Sequence, residues 1–238
     1  MVTIGGTYLT IANIVAVARG AKVEISGDPA IRERVHRSRR IVRDAVSNGQ
    51  QIYGVTTLFG GMAGHRVGGE LLSTLQKVAL WQHKSTTGPR LPAGDVRAAM
   101  LLRANSLMKG VSGIRLEIIE RYAAFLNAGA CPHVHQRGSI GASGDLVPLS
   151  YIAGAVIGLD PAFKVDLDGE TLDSHSALAR LGLHPIALEP KEGLALNNGT
   201  AACTGVAALC VHRAFDLAAL SLSRSNFHTR GVASAMMS

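Results

Sequence analysis

The sequence predicts a mainly α-helical fold. Hydrophobic residues make up 47% of the 238 and aromatics only 4%, so Ala, Leu, Val and Ile must fill the core. That palette suits helix packing. Apolar residues recur at the 3.6-residue period, as in Leu71, Leu72, Leu75, Val78 and Ala79. Helix starts and stops punctuate such runs, as Asp28-Pro29 does before one and Asn48-Gly49 after it.

Met1–Ala21 is weakly patterned. Its apolar part, Tyr8 to Ala18, has no basic residue before it and is too short to span a bilayer. No signal peptide and no transmembrane helix are expected. Asp28 and Pro29 open a helix with Ile31, Val35, Val42, Ala45 and Val46 on one side. It also carries Arg32, Arg34, Arg37, Arg39, Arg40 and Arg43, with no aromatic platform interleaved. A solvated face or a subunit contact is expected there rather than a nucleic-acid groove. Ile52–Met62, rich in Gly and β-branched residues, reads as a long functional loop.

A second helix runs from about Glu70 to Lys84 and is broken by Thr86–Pro92. Asp95 is expected to cap a third helix ending at Gly110. Ser112 opens a fourth, ending at Gly129, with Ile114, Ile118, Tyr122 and Phe125 inward. Asp145 reads as the N-cap of a helix over Leu146–Gly158. Asp160–Pro190 is rich in turn signals and reads as a small strand-and-turn excursion. The last helix runs from Thr200 to about Leu222, is apolar on several sides and should be buried. Arg224–Ser238 shows no clear pattern.

The net charge is +7 and the pI about 9.7, which fits nucleic acid, an acidic partner or simply a basic surface. Cys131, Cys203 and Cys210 form no paired spacing and no metal motif. They read as free buried thiols in a reducing, cytoplasmic setting, with no metal site.

The stretch with the most chemistry is Gly138–Leu149, centred on Ala142-Ser143-Gly144. Gly144 lacks a Cβ, so its nitrogen can fold back on the Ala142 carbonyl. That attack closes a five-membered ring through Ser143. Loss of water from the ring and from the Ser143 side chain leaves an exocyclic methylidene, an electron-poor alkene. The positive end of the following helix favours electron density on that ring.

This run resembles the ammonia-lyases and aminomutases of histidine, phenylalanine and tyrosine. Their prosthetic group, 4-methylidene-imidazole-5-one (MIO), forms from an Ala-Ser-Gly triad, so the resemblance implies MIO at Ala142, Ser143 and Gly144. Tyr53-Gly54-Val55-Thr56-Thr57-Leu58-Phe59-Gly60 is similar to the family's loop motif Tyr-Gly-Val-Thr-Thr-Gly-Phe-Gly, with Leu58 replacing a Gly. The match implies Tyr53 as the base that removes the β-proton. Asn197-Asn198-Gly199-Thr200 resembles the Asn-Gly-Thr motif, which implies a catalytic role for Asn198 beside the prosthetic group. Asp145 matches the acid after the triad and supports ring closure.

Gln82 and His83 match the pair that contacts the substrate's ring, and a hydrogen-bonding pair disfavours a bare phenyl. Gly60, Leu80 and Leu146 complete the implied substrate contacts. The implied fold is the ammonia-lyase (fumarase/aspartase-like) one. Residues 1–238 would be its N-terminal MIO-containing half with the start of the helical bundle. The C-terminal bundle half, with the family's carboxylate-binding Arg, has no match here. The implied activity is non-oxidative deamination of an aromatic L-amino acid of phenylalanine/tyrosine type to an aryl acrylate and ammonia. An MIO-dependent aminomutase, a histidine ammonia-lyase-like activity and a non-catalytic assembly subunit stay open. The implied partners are the small aromatic substrate and a tetramer-like homo- or hetero-oligomer supplying the missing half; nucleic acid and membrane are not expected.

Overall fold

The computed structural model describes the backbone of residues 1–236 and the side chains through Ser223. The mainly helical reading holds, with three small sheets among the described residues.

The N-terminal segment is more ordered than its pattern suggests. β1 (Val2–Ile4) pairs in parallel with β2 (Val23–Ile25), and α1 (Ile11–Ala18) connects them. A reciprocal cap starts α1. The Asn13 N–H donates to Thr10 Oγ1 at 3.1 Å, and the Thr10 N–H donates to Asn13 Oδ1 at 3.0 Å. Asn13 stands where such a cap normally has Glu or Gln, which hides the signal.

α2 (Pro29–Ser47) begins and ends where expected, with Asp28 accepting from the Ala30 N–H at 2.8 Å. α3 (Leu71–Trp81) stops short of Lys84, so Gln82 is its C-cap and His83 lies in the turn beyond. α4 (Ala93–Leu107) starts after Pro92, and Asp95 sits in its first turn without capping it. The Asp95 carboxylate is instead buried near the long last helix, 3.8 Å from the Arg213 guanidinium. α5 (Leu116–Ala128) starts later than Ser112, because Arg115 is held extended at the N-cap position by Glu192. Gly129 ends it as expected.

Between β4 (Cys131–Pro132) and α6 (Leu146–Ile157) runs β5 (His135–Arg137), antiparallel to β3 (Thr87–Arg90). The excursion is β6 (Lys164–Leu167) and β7 (Glu170–Asp173), in the sheet order β4-β6-β7, followed by α7 (Ser174–Arg180). α6 is buried on nearly every side and α4 packs against α1, α5 and the long last helix, so these two helices hold the centre of the core.

α8 (Glu192–Asn197) is short, and α9 (Ala201–Met236) follows one turn later. α9 corrects two expectations. It continues through the stretch from Arg224 that looked patternless, though Met237 and Ser238 lie outside the described residues. Through Ser223 it is also buried only at its start: Ala201, Ala202, Ala208 and Leu209 are covered, whereas Phe215 is 68% and Leu217 70% exposed. It packs on α4, α1 and α6, and side chains at Arg19 and Asp95 reach it as far along as His212 and Arg213. Cys203 and Cys210, expected to be buried, are exposed on it.

By length and composition alone, Glu192–Ser223 is apolar enough to cross a bilayer, with hydropathy 1.4. The run is however broken between α8 and α9. The part of the run within α9 carries Arg213 and Asp216, and charged side chains are costly in lipid.

Candidate active site

The Ala142-Ser143-Gly144 bend lies at the surface end of the β5–α6 connection, immediately before α6. Gly144 has φ +93, and a Cβ there would lie 2.6 Å from the Gly199 carbonyl oxygen. Any other residue is thus excluded by both conformation and space. The Gly144 N–H turns back onto the Gly141 carbonyl at 3.2 Å, so the triad is already sharply folded. The same Gly199 carbonyl accepts from the Asp145 N–H at 2.7 Å. The amide of Asn198 donates from Nδ2 to the Ser143 carbonyl at 3.3 Å. A tight bend, a cradle that a Cβ would fill and an adjacent amide donor all fit an Ala-Ser-Gly-derived ring.

Asp145 occupies the N-cap position of α6, but its side chain does not cap that helix. Its Oδ2 accepts from the Cys203 N–H at 2.8 Å, in the first turn of α9. Asp145 is buried and lines a separate cavity of about 330 Å³ with Cys203, Val147 and Pro148.

The facing wall comes from Ile52–Met62, a loop with a short 3-10 turn at Gly60–Met62. The Tyr53 hydroxyl accepts from the Gly60 N–H at 3.0 Å, and its ring meets Phe59 edge-on at 6.1 Å. His83 Nδ1 lies 2.7 Å from the Ala79 carbonyl. A carbonyl only accepts, so Nδ1 carries a proton, and in the neutral ring Nε2 is left as an acceptor. The Asn197 amide donates to the same carbonyl at 2.9 Å.

These groups converge on one cavity of about 230 Å³. Of the residues singled out in the sequence, Tyr53, Gly60, Gln82, His83, Ser143, Leu146 and Asn198 line it. Leu80 does not: it is fully buried in the core, and Ala79 lines the cavity instead. Phe59, Ala79, Leu194 and Asn197 are the wall residues that sequence reasoning missed. Leu194 lies one helical turn before Asn198, which was a usable signal. Behind the wall, buried Arg103 donates to the carbonyls of Asn198, at 2.9 Å, and Ala195. Burial holds the Arg103 guanidinium below its usual range, against the opposing pull of Tyr122 and Asp145. Among the described residues, no group of three or more His, Cys, Asp or Glu side chains could hold a metal ion.

Residues 9–236 match the model of the family described as aromatic amino acid lyase. An aromatic ammonia-lyase from Loktanella atrilutea is 64% identical over 222 residues, covering 93% of this chain and 40% of that protein. A phenylalanine ammonia-lyase from Nostoc punctiforme is 53% identical over 223 residues, covering 93% of this chain and 39% of that one. The crystal structure of ergothionase, an ergothioneine-degrading enzyme from Treponema denticola, superposes with a TM-score of 0.84 at 31% identity. That match covers 91% of this chain and 42% of the ergothionase chain. The chain therefore spans well under half the length of the relatives it matches. By its match over nearly its whole length, it belongs to the aromatic amino acid lyase family.

Proposed function

We propose that this chain is the N-terminal, MIO-bearing part of an ammonia-lyase acting on an aromatic L-amino acid of phenylalanine/tyrosine type. The observation that carries the reading is the convergence of Tyr53, Ser143 and Asn198 on one cavity, beside Gln82 and His83. Formed from Ala142, Ser143 and Gly144, MIO would supply an electrophile that captures the substrate and eases departure of its ammonium group. Tyr53 acts as the base toward the β-carbon, and its hydroxyl is oriented by the Gly60 N–H. Asn198 reaches the Ser143 carbonyl with its amide nitrogen and keeps its carbonyl oxygen for a second partner. Leu146 and Leu194 give the ring apolar contact, while the acceptor Nε2 of His83 favours a ring that carries a hydrogen-bond donor. The group that holds the substrate carboxylate, and the cover for α9, would come from the C-terminal half of the protein in an oligomer.

The test is a mass measurement joined to an assay. The native chain should weigh two waters less than its sequence, and Ser143→Ala should show the full mass and no turnover. With the C-terminal half present, phenylalanine, tyrosine and histidine are offered in turn, and ammonia and aryl acrylate are measured. Full turnover by a folded Ser143→Ala variant would overturn the prosthetic-group assignment. A β-amino acid as the main product would replace the lyase by an aminomutase.

A further inference from the structure

Gln76 lies on α3, fully buried, where the segments that build the cavity meet. Its Nε2 donates to the Gly54 carbonyl at 3.2 Å. Its Oε1 accepts from the Gly193 N–H at 3.1 Å and the Leu194 N–H at 3.4 Å. Gly54 is the residue after Tyr53. Gly193 and Leu194 are in the first turn of α8, where backbone N–H groups have no partner within the helix. α8 then ends at Asn197, next to Asn198. α3 itself leads into Gln82 and His83. One side-chain amide thus spans the base loop and the Asn198 segment from the helix that leads to the ring-contacting pair.

The surroundings leave little slack. A Cβ on Gly193 would lie 2.4 Å from the Gln76 backbone carbonyl, and one on Gly54 would lie 3.1 Å from the Leu194 side chain. Only a group with both a donor and an acceptor can make this bridge, which excludes a carboxylate, an ammonium or an apolar chain.

We propose that Gln76 is a positioning residue that sets Tyr53 against Asn198 and Ser143 across the cavity. The proposal rests on the catalytic reading of those three residues. Gln76 touches no reacting atom; it acts through the Gly54 and α8 backbones. Misplacement of a catalytic group by about 1 Å can cost about 10²-fold in rate.

The discriminating variant is Gln76→Glu in the assembled enzyme. Ionised, Glu keeps the acceptor toward Gly193 and Leu194 but has no donor for Gly54. Protonated, it restores the whole bridge. Burial raises the pKa of such a carboxyl. The neutral, donating form is present below that raised pKa, so the ratio of variant to native kcat should climb as pH falls. We expect kcat at neutral pH to drop by about 10²-fold, with KM little changed. The two-water mass deficit should be kept. Amide hydrogen exchange should speed up at 54–60 while the core helices hold. A variant with native kcat, or one whose deficit does not depend on pH, would overturn the proposal. So would native exchange rates at 54–60, a readout that needs no activity. An enzyme inactive before mutation would sink the catalytic reading while leaving the exchange test to judge the bridge. If Gln76→Glu does not fold, Gln76→Met, uncharged and of similar length, should show the same faster exchange without the pH recovery, and native exchange there overturns the proposal.

Discussion

Asp145 caps a helix other than the one it precedes. Its carboxylate accepts from the Cys203 N–H at 2.8 Å, in the first turn of α9, while its own N–H donates to Gly199 at 2.7 Å. The residue after Ala142-Ser143-Gly144 is thereby fastened to the start of the longest helix. One buried carboxylate sits at the positive ends of both α6 and α9. Asp145→Ala should cost ~0.5–2 kcal/mol, the usual range for a lost cap. It should also slow ring closure, because the loop loses its anchor. Asp145→Asn keeps an acceptor and should lose less of both. Denaturant unfolding and the time course of the two-water mass loss measure these effects, and equal behaviour of the two variants would remove the anchoring role.

Tyr53→Phe separates chemistry from structure. Tyr53 is 54% exposed, and among the described residues its hydroxyl is bonded by the exposed Gly60 N–H, which water can replace. Stability should therefore change little. Turnover should fall ~10²–10⁴-fold, the range for a lost general base. An unchanged kcat would show that the β-proton leaves to another group.

Local signals made much of this fold legible. Asp28-Pro29, Gly129 and the turn Asp168-Gly169 each dictate backbone geometry within a few residues, and the structure follows them, whereas α7 was not expected in the strand-and-turn stretch. What was not legible depends on long-range contact. Ser112 looks like a helix start, but the chain stays extended to Arg115 because Glu192, far away in sequence, binds both the backbone and the guanidinium there. Asp95 and Asp145 have the composition of caps, yet α9 draws both carboxylates toward itself. Leu80 sat beside Gln82 and His83 in sequence, but helical rotation turns it into the core and brings Ala79 to the cavity. Gln76 carried no signal at all, since a buried glutamine on a helix is recognised only by its partners.

Glu192 is fully buried and saturated. It accepts from Arg115 Nε at 2.8 Å, from a terminal nitrogen of Arg115 at 2.7 Å, and from the N–H groups of Arg115 and Glu189. Arg115 is held above its ordinary range, first by the hydrogen bond to Glu192. Breaking one side of a buried pair typically costs ~3–5 kcal/mol. Glu192→Ala should lose that much in urea unfolding and should loosen the first turn of α8 that Gln76 holds. A loss near zero would mean that water replaces the carboxylate.

The three cysteines should differ in reactivity. Burial, then the Asp166 carboxylate, pushes the Cys131 thiol up to about 11. Cys203 is also raised, chiefly by its hydrogen bond to Asp145, but it is exposed. The thiolate is the reacting form, so Cys131 should alkylate last. Its rate should keep rising as pH approaches about 11. Peptide mass mapping after graded iodoacetamide treatment reads the order, and early labelling of Cys131 would show that its strand opens readily.

The far part of α9 makes the strongest claim about assembly. Leu217 is 70%, Leu220 62% and Leu222 68% exposed, and Phe215 stands beside them at 68%. Those positions span much of the helix circumference, so folding back onto one neighbour would leave some of them wet. An uncovered apolar surface of this kind drives association. The charges nearby do not prevent it: His212 and Asp216 pair within the helix, and Arg213 leans toward Asp95. The chain should therefore sediment as an oligomer or join a separate C-terminal half, with an obligate interface of ~2,000 Å² or more. Leu217→Lys with Leu220→Lys should weaken that association and leave the two-water mass deficit intact, because the triad lies at the other end of α9. A native chain that stays monomeric and soluble at micromolar concentration would remove the need for a covering partner.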